Sequence, residues 1–259
     1  MLRLLLLFIS VSLLGACAIS KDIAYDLPSG VLEGPETTGE RFKLNTAYAI
    51  ASAHRPMAGS VEVNTVSGSI TEKDTLDKSY SSIFRVDLGL TSRIDLKSDN
   101  MLSLGDVGPN LYGVKIQLLG DSALHKTKGL KWAALFKAGK NDWKTTFSVS
   151  GNTGSINIDI LAMEAASILG YRYSNKWLAY TTQVYRKVTA DSHSTALQTK
   201  SYDAEISSRS FSLLVGTEYT RNKNSQVRME TGLVHTLMIR PNISMTSPYF
   251  GIVFNRTWF

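Results

Sequence analysis

From Phe42 onward the apolar and polar residues alternate with a period of two. In SFSLLVGTEYTR, Phe211, Leu213, Val215 and Tyr219 share one phase, while Ser210, Ser212, Gly216, Glu218 and Thr220 share the other. That is the mark of a strand with one apolar and one polar face. The same alternation runs through FKLNTAYAIA from Phe42, FRVDLGL from Phe84, YGVKIQLL from Tyr112 and KWAALFKA from Lys131. Around residue 180 it sets Leu178, Tyr180 and Val184 against Gln183 and Lys187, and near residue 230 it sets Val227, Met229 and Leu233 against Arg228 and Glu230. Turn chemistry separates the runs, at TSR from Thr91, GKND from Gly139, YSNK up to Lys176 and RNKN from Arg221.

This pattern predicts about twelve strands, at 42–54, 59–70, 82–90, 93–101, 111–119, 130–138, 143–150, 162–173, 177–187, 209–220, 226–239 and 249–259. Ten is the alternative count, because the alternation of short and long connections fails between 59 and 110. The stretch LAMEAASIL from Leu161 is also rich in helix formers, so a helix competes with a strand there. No linker or composition shift divides residues 42–259. Residues 17–41, with Pro28, Gly30, Gly34 and Pro35, read as a flexible tether.

A soluble β-sandwich would alternate in the same way. Two features favour a closed transmembrane barrel instead. Charges mixed with Gly and Ser sit near the strand centres on the polar phase, as in a wet and crowded lumen, and aromatics gather near the strand ends, at Tyr112, Trp132, Trp143, Tyr173, Trp177, Tyr219, Tyr249 and Trp258.

The two ends of the chain carry signals of their own. Arg3, the apolar run Leu4 to Leu14 and the small residues Gly15 and Ala16 read as a signal peptide over residues 1–16, too short for a spanning helix of about 20 residues. Cys17, the single cysteine, follows Leu14-Gly15-Ala16. This resembles a bacterial lipoprotein signal, which implies lipidation of Cys17 and an anchor in the periplasmic leaflet of the outer membrane. The chain ends on YFGIVFNRTWF, with Phe259 last. That ending resembles the terminal strand of bacterial outer-membrane β-barrel proteins, read by their assembly machinery, although Asn255 and Thr257 depart from the usual apolar pattern. The resemblance implies an all-β, antiparallel transmembrane barrel spanning 42–259, with outer-membrane lipid and the assembly machinery as partners.

Charge narrows the function. The formal net charge is +6, but no Lys/Arg block exists and an exported chain does not meet nucleic acid. On the polar phase Arg85, Asp87, Lys115, Lys131, Glu164, Arg172, Glu218, Arg228 and Glu230 are the candidate pore-lining residues. The cations of this phase, Lys187 among them, outnumber its acids, and rings of Lys/Arg favour anions. The expectation is a small porin or passive transporter with an anion bias and an unidentified small solute. The alternatives are a closed structural or adhesion barrel using its external loops to bind a partner, and a periplasmic β-sandwich lipoprotein. None of His54, His125, His193 and His235 lies in a segment resembling a lipid-hydrolase motif, and no metal or cofactor spacing is present. No enzymatic activity, cofactor or metal is expected.

Overall fold

The computed structural model describes residues 23–24, 27–28, 30–58, 62–63, 70–71, 75–101, 109–149, 152–196, 200–222, 224–239 and 242–258. The signal peptide, Cys17 and Phe259 lie outside the described residues. Among those described, ten long strands form one ring: β1 (Leu44–Ala58), β2 (Thr75–Gly89), β3 (Ile94–Met101), β4 (Leu111–Leu119), β5 (Gly129–Val149), β6 (Asn152–Arg172), β7 (Trp177–Ala196), β8 (Lys200–Asn222), β9 (Ser225–Met238) and β10 (Ile243–Trp258). Each pairs antiparallel with the next, and β10 closes on β1, with Trp258 opposite Leu44 and Gly251 opposite Ala51. Closure of the last strand on the first makes the sheet a ring, the arrangement by which β-structure crosses hydrocarbon, and excludes the β-sandwich.

Ten strands arise where about twelve were counted because two expectations fail. In segment 59–70 the described residues add no strand to the wall: Glu62–Val63 pairs with Ile70–Thr71 in a ribbon of its own. The runs 130–138 and 143–150 are one strand, since GKND continues β5 instead of turning. Gly139 is there for closeness, because a Cβ would collide with the carbonyl of Asn110. LAMEAASIL is strand β6 throughout, its helix propensity overridden by pairing on both sides.

Outward residues are those exposed on the apolar phase. Phe250 is 56% and Phe254 52% exposed, while Tyr249, Gly251, Val253 and Asn255 point inward. The lipid-facing side of the last strand is therefore the Phe250, Ile252, Phe254 phase. A cross-strand row of outward residues, Trp177, Tyr219, Val227, Phe254, Tyr48 and Phe84, supplies an aromatic border near the end of the barrel that holds Leu44 and Trp258. Trp177 stacks on Tyr219 at 4.9 Å, and the Arg256 guanidinium lies 4.3 Å over Trp258. This end is the base. Along β7 the outward apolar band ends at Lys187, opposite Arg209, ten positions above Trp177, close to the 9–11 residues that a tilted strand needs to cross a bilayer.

Strand β7 overturns one reading of phase. Leu178, Tyr180 and Val184 are buried inside, and Lys187 is on the outside. Its outward face carries Thr181 and Gln183, so hydrophobicity alone misassigned the sides.

Strands β5 to β8 are 21, 21, 20 and 23 residues long, twice what a crossing requires, so they rise well above the band and form a tall crown. Replacing Leu213, mid-band on β8, by Arg should cost about 2–4 kcal/mol in urea-dependent refolding into vesicles, whereas Thr146→Arg, exposed on the crown, should leave the midpoint unchanged.

Candidate functional site: the plugged lumen

All nine candidate pore-lining residues face the interior and are buried. They do not line an open channel. Residues 30–38, expected as part of the tether, run through the lumen as a strap packed against them, with Val31, Leu32, Glu33 and Thr37 each 1% exposed or less.

The strap is fixed at four levels. Uppermost, the Leu32 N–H donates to Glu230 Oε2 at 3.0 Å, and the Arg85 guanidinium donates to the carbonyls of Val31 and Leu32 at 2.8 and 3.2 Å. Leu32 holds φ at 54°, a left-handed conformation costly for a branched side chain, and persists because both its peptide groups are clamped. In the middle, Glu33 meets Arg85, Lys97 and Lys115 at 3.1, 3.1 and 3.2 Å. Lower, Glu36 takes a double hydrogen bond from Arg172 at 2.7 and 2.6 Å and has Lys131 at 3.7 Å. Near the base, Thr37 donates its N–H to Gln117 and its hydroxyl to the Ser92 carbonyl, both at 2.9 Å, and Thr38 donates to Asp95.

These contacts join two ion-pair networks. From Glu33 one runs along the wall through Arg85 and Asp99 (2.5 Å), Lys137 (2.5 Å) and Glu164 (3.3 Å) to Arg186, and its branches reach Asp87 through Lys97 at 2.7 Å and Asp95 through Lys115 at 3.9 Å. From Glu36 the other passes through Arg172 and Glu218 (2.7 Å) to Arg228 (2.8 Å). Among the described residues the buried interior holds eight Lys/Arg against six Asp/Glu on the wall, and Glu33 and Glu36 of the strap make the formal charges equal. Sequence reasoning missed Glu33, Glu36, Asp99 and Arg186. The first two sit in a segment without period. The signal available for Asp99 and Arg186 was cross-strand charge matching, Asp99 opposite Arg85 and Arg186 opposite Glu164.

Above the strap the lumen becomes aliphatic. Leu76, Leu111, Ile158, Ile160, Ala162, Val188, Ala190, Ile206 and Met238 pack as one buried cluster. Below it, a polar cavity of about 520 Å³ opens at the base, lined by Lys43, Asp87, Asp95, Lys126, Lys176 and Arg221 among others. In the turn beneath the base, burial holds the Lys126 ammonium below its usual pKa, with Arg172 and Lys43 adding to the effect and Glu218 and Glu36 opposing it.

One Ser/His contact stands apart. His54 lies with Nε2 2.5 Å from Ser247 Oγ and Nδ1 2.6 Å from Thr236 Oγ1, all three buried. A serine beside a histidine is the first pair of a nucleophilic triad, but the third group here is a neutral hydroxyl and the cavity at the base does not reach it. Among the described residues no group of His, Cys, Asp and Glu is placed to hold a metal ion.

The fold and this interior define a transmembrane β-barrel with a plug built from its own chain. No protein-family model matches the sequence, and no curated protein matches it. Solved structures do. The outer membrane protease OmpT from Escherichia coli is 12% identical, with 86% of this chain and 98% of that one covered at a TM-score of 0.40. The attachment invasion locus protein Ail of Yersinia pestis is 8% identical, covering 83% and 99% at 0.33, and the CymD monoaromatic hydrocarbon channel is 8% identical, covering 91% and 94% at 0.31. The expectation that this chain is no enzyme is corrected by the first of these: a protease stands among the barrels it is similar to, so the architecture does not exclude catalysis, and identity this low assigns none.

Breaking a buried network by removing one partner costs about 3–5 kcal/mol, because a buried charge is left without its partner. Glu36→Gln should therefore lower the unfolding midpoint markedly and reduce the fraction of protein that keeps its compact mobility on unheated gels. Glu40→Gln, which breaks the exposed pair with Lys43 at 3.1 Å, should change neither.

Proposed function

We propose that this is a bacterial outer-membrane barrel, closed at rest by its own strap, that meets a binding partner with its crown. Short turns lie on the periplasmic side of such barrels and the taller elements on the outside, which puts the base in the periplasm and the crown beyond the cell surface. The observation that carries the closed state is charge equality: the two cations that the wall leaves over are met by Glu33 and Glu36, so the strap is the counter-charge of the lumen and not a loose tether. The aliphatic layer above it closes the remaining path.

The open anion-favouring porin expected from the sequence is revised accordingly. The cations are present but occupied, and conduction requires the strap to leave. The crown favours contact as the working role. Asp142, Asp159, Asp191 and Glu205 stand directly opposite one another across β5 to β8, all exposed on the outer face. Like charges in register oppose pairing, so this row is a cost to the sheet that an external contact offsets.

Planar-bilayer recording on refolded protein tests the closed state. The intact barrel should be silent, and a barrel lacking residues 30–38 should conduct in discrete steps with an anion-selective reversal potential. Steps from the intact barrel would restore the porin, and silence from a demonstrably folded strapless barrel would assign closure to the aliphatic layer alone. For the crown, replacing Asp142, Asp159 and Asp191 by Asn and Glu205 by Gln removes the acidic row and keeps the strand pairing. Cells carrying this variant should lose adherence that cells carrying the parent protein show, with the barrel still silent in bilayers; unchanged adherence would remove the crown from the account.

A further inference from the structure

The strap has a direction, and the seam of the barrel shows where it comes from. Strand β10 pairs with β1 only over residues 44–51 of β1. Above that point a different partner lies along β1: Leu27–Pro28 pairs with His54 and Ala53, and Ile23–Ala24 pairs with Ala58 and Met57, both antiparallel. The upper half of the seam is thus occupied by the chain that leads into the strap. The reason is in the sequence. Proline cannot donate to a ladder and is confined to strand edges, and Pro56 and Pro248 both fall in the stretch where β1 and β10 no longer pair with each other. Above residue 51 the two strands meet through side chains: the Phe250 N–H donates to Ser52 Oγ at 3.0 Å, and His54 Nε2 lies 2.5 Å from Ser247 Oγ.

From this seam the chain turns inward at Gly30. A Cβ there would collide with the Tyr249 hydroxyl on β10, so only glycine can pass. The order of contacts then descends without reversal: Leu32 at Glu230, Glu33 at Lys97, Glu36 at Arg172, and Thr37 beside Ser92 in a base turn.

We infer that the strap enters the lumen from the crown, through the upper β1–β10 seam, so that Ile23 stands on the extracellular side. The sidedness rests on the outer-membrane reading above; the threading itself rests on the pairing of residues 23–28 and the descent of residues 30–38. Cys17 stands six positions before Ile23, and six residues reach at most about 20 Å, short of the roughly 30 Å hydrocarbon core, so this threading does not fit the periplasmic anchor expected from the sequence.

The test uses the full-length protein in its native membrane. An epitope is inserted between Asp22 and Ile23, with the same epitope after Ala196 at the crown end of β7 and at Asn224 in the base as separate controls. On intact cells antibody should bind the Ile23 and crown insertions and miss the base insertion until the outer membrane is permeabilised. Binding at Ile23 only after permeabilisation, with both controls behaving as stated, overturns the inference and leaves the plugged barrel intact. Reversed controls, or a crown control that stays silent on intact cells, remove the orientation and the inference together. Because an insertion could displace the strap, a second variant reads the pairing directly: Ala24→Cys with Met57→Cys, opposite in the register, should form an intramolecular disulfide that shifts mobility on non-reducing gels. Failure to form it in a folded barrel overturns the threading.

Discussion

The constraint on which the rest of the structure depends is that a sealed lumen tolerates no net fixed charge. Deep inside a ring of ten strands, a buried ammonium or guanidinium without a partner has lost most of the water and mobile counter-ions that lower its energy. The wall supplies more cations than carboxylates, and the deficit is two. A plug carrying two acids meets that need, and Glu33 and Glu36 stand three positions apart, one for the network centred on Arg85 and one for the network centred on Arg172. Such buried networks are poor sources of net stability compared with apolar packing. What they supply is register: a strap displaced by one residue would exchange the positions of its side chains and break both hubs at once.

This accounts for which parts of the molecule were legible in the sequence. Alternation needs only the contrast between lipid and lumen, so β8, β9 and β2 were readable from residues such as Phe211, Val227 and Phe84. Where that contrast weakens, the reading weakened with it. Strand β7 presents Thr181 and Gln183 outward and Tyr180 inward, and its sides were reversed. Above the lipid band both faces meet other environments, so GKND in the middle of β5 looked like a turn although it is wall. The strap was invisible for a different reason. It has no secondary-structure period, its prolines and glycines are those of a linker, and its partners lie up to 198 positions away. Only charge arithmetic across the whole polar phase would have exposed the missing anions, and two glutamates in a presumed tether carry no pattern to search for.

The seam ties these features to assembly. Strap and β1 are consecutive in the chain, whereas β10 comes last, so the surface that receives β10 is built next to a segment that must lie inside before the ring shuts. Pairing of β10 with residues 44–51 of β1 then encloses the strap, and Pro56 and Pro248 hold the upper seam open for the chain that leads into it. Had the seam zipped to the crown, residues 23–28 would have lost their partner on β1 and the strap its route. The prolines that weaken the wall are therefore part of what keeps the plug in place, and a barrel sealed along its full height would be one whose interior charge could not be balanced by this segment.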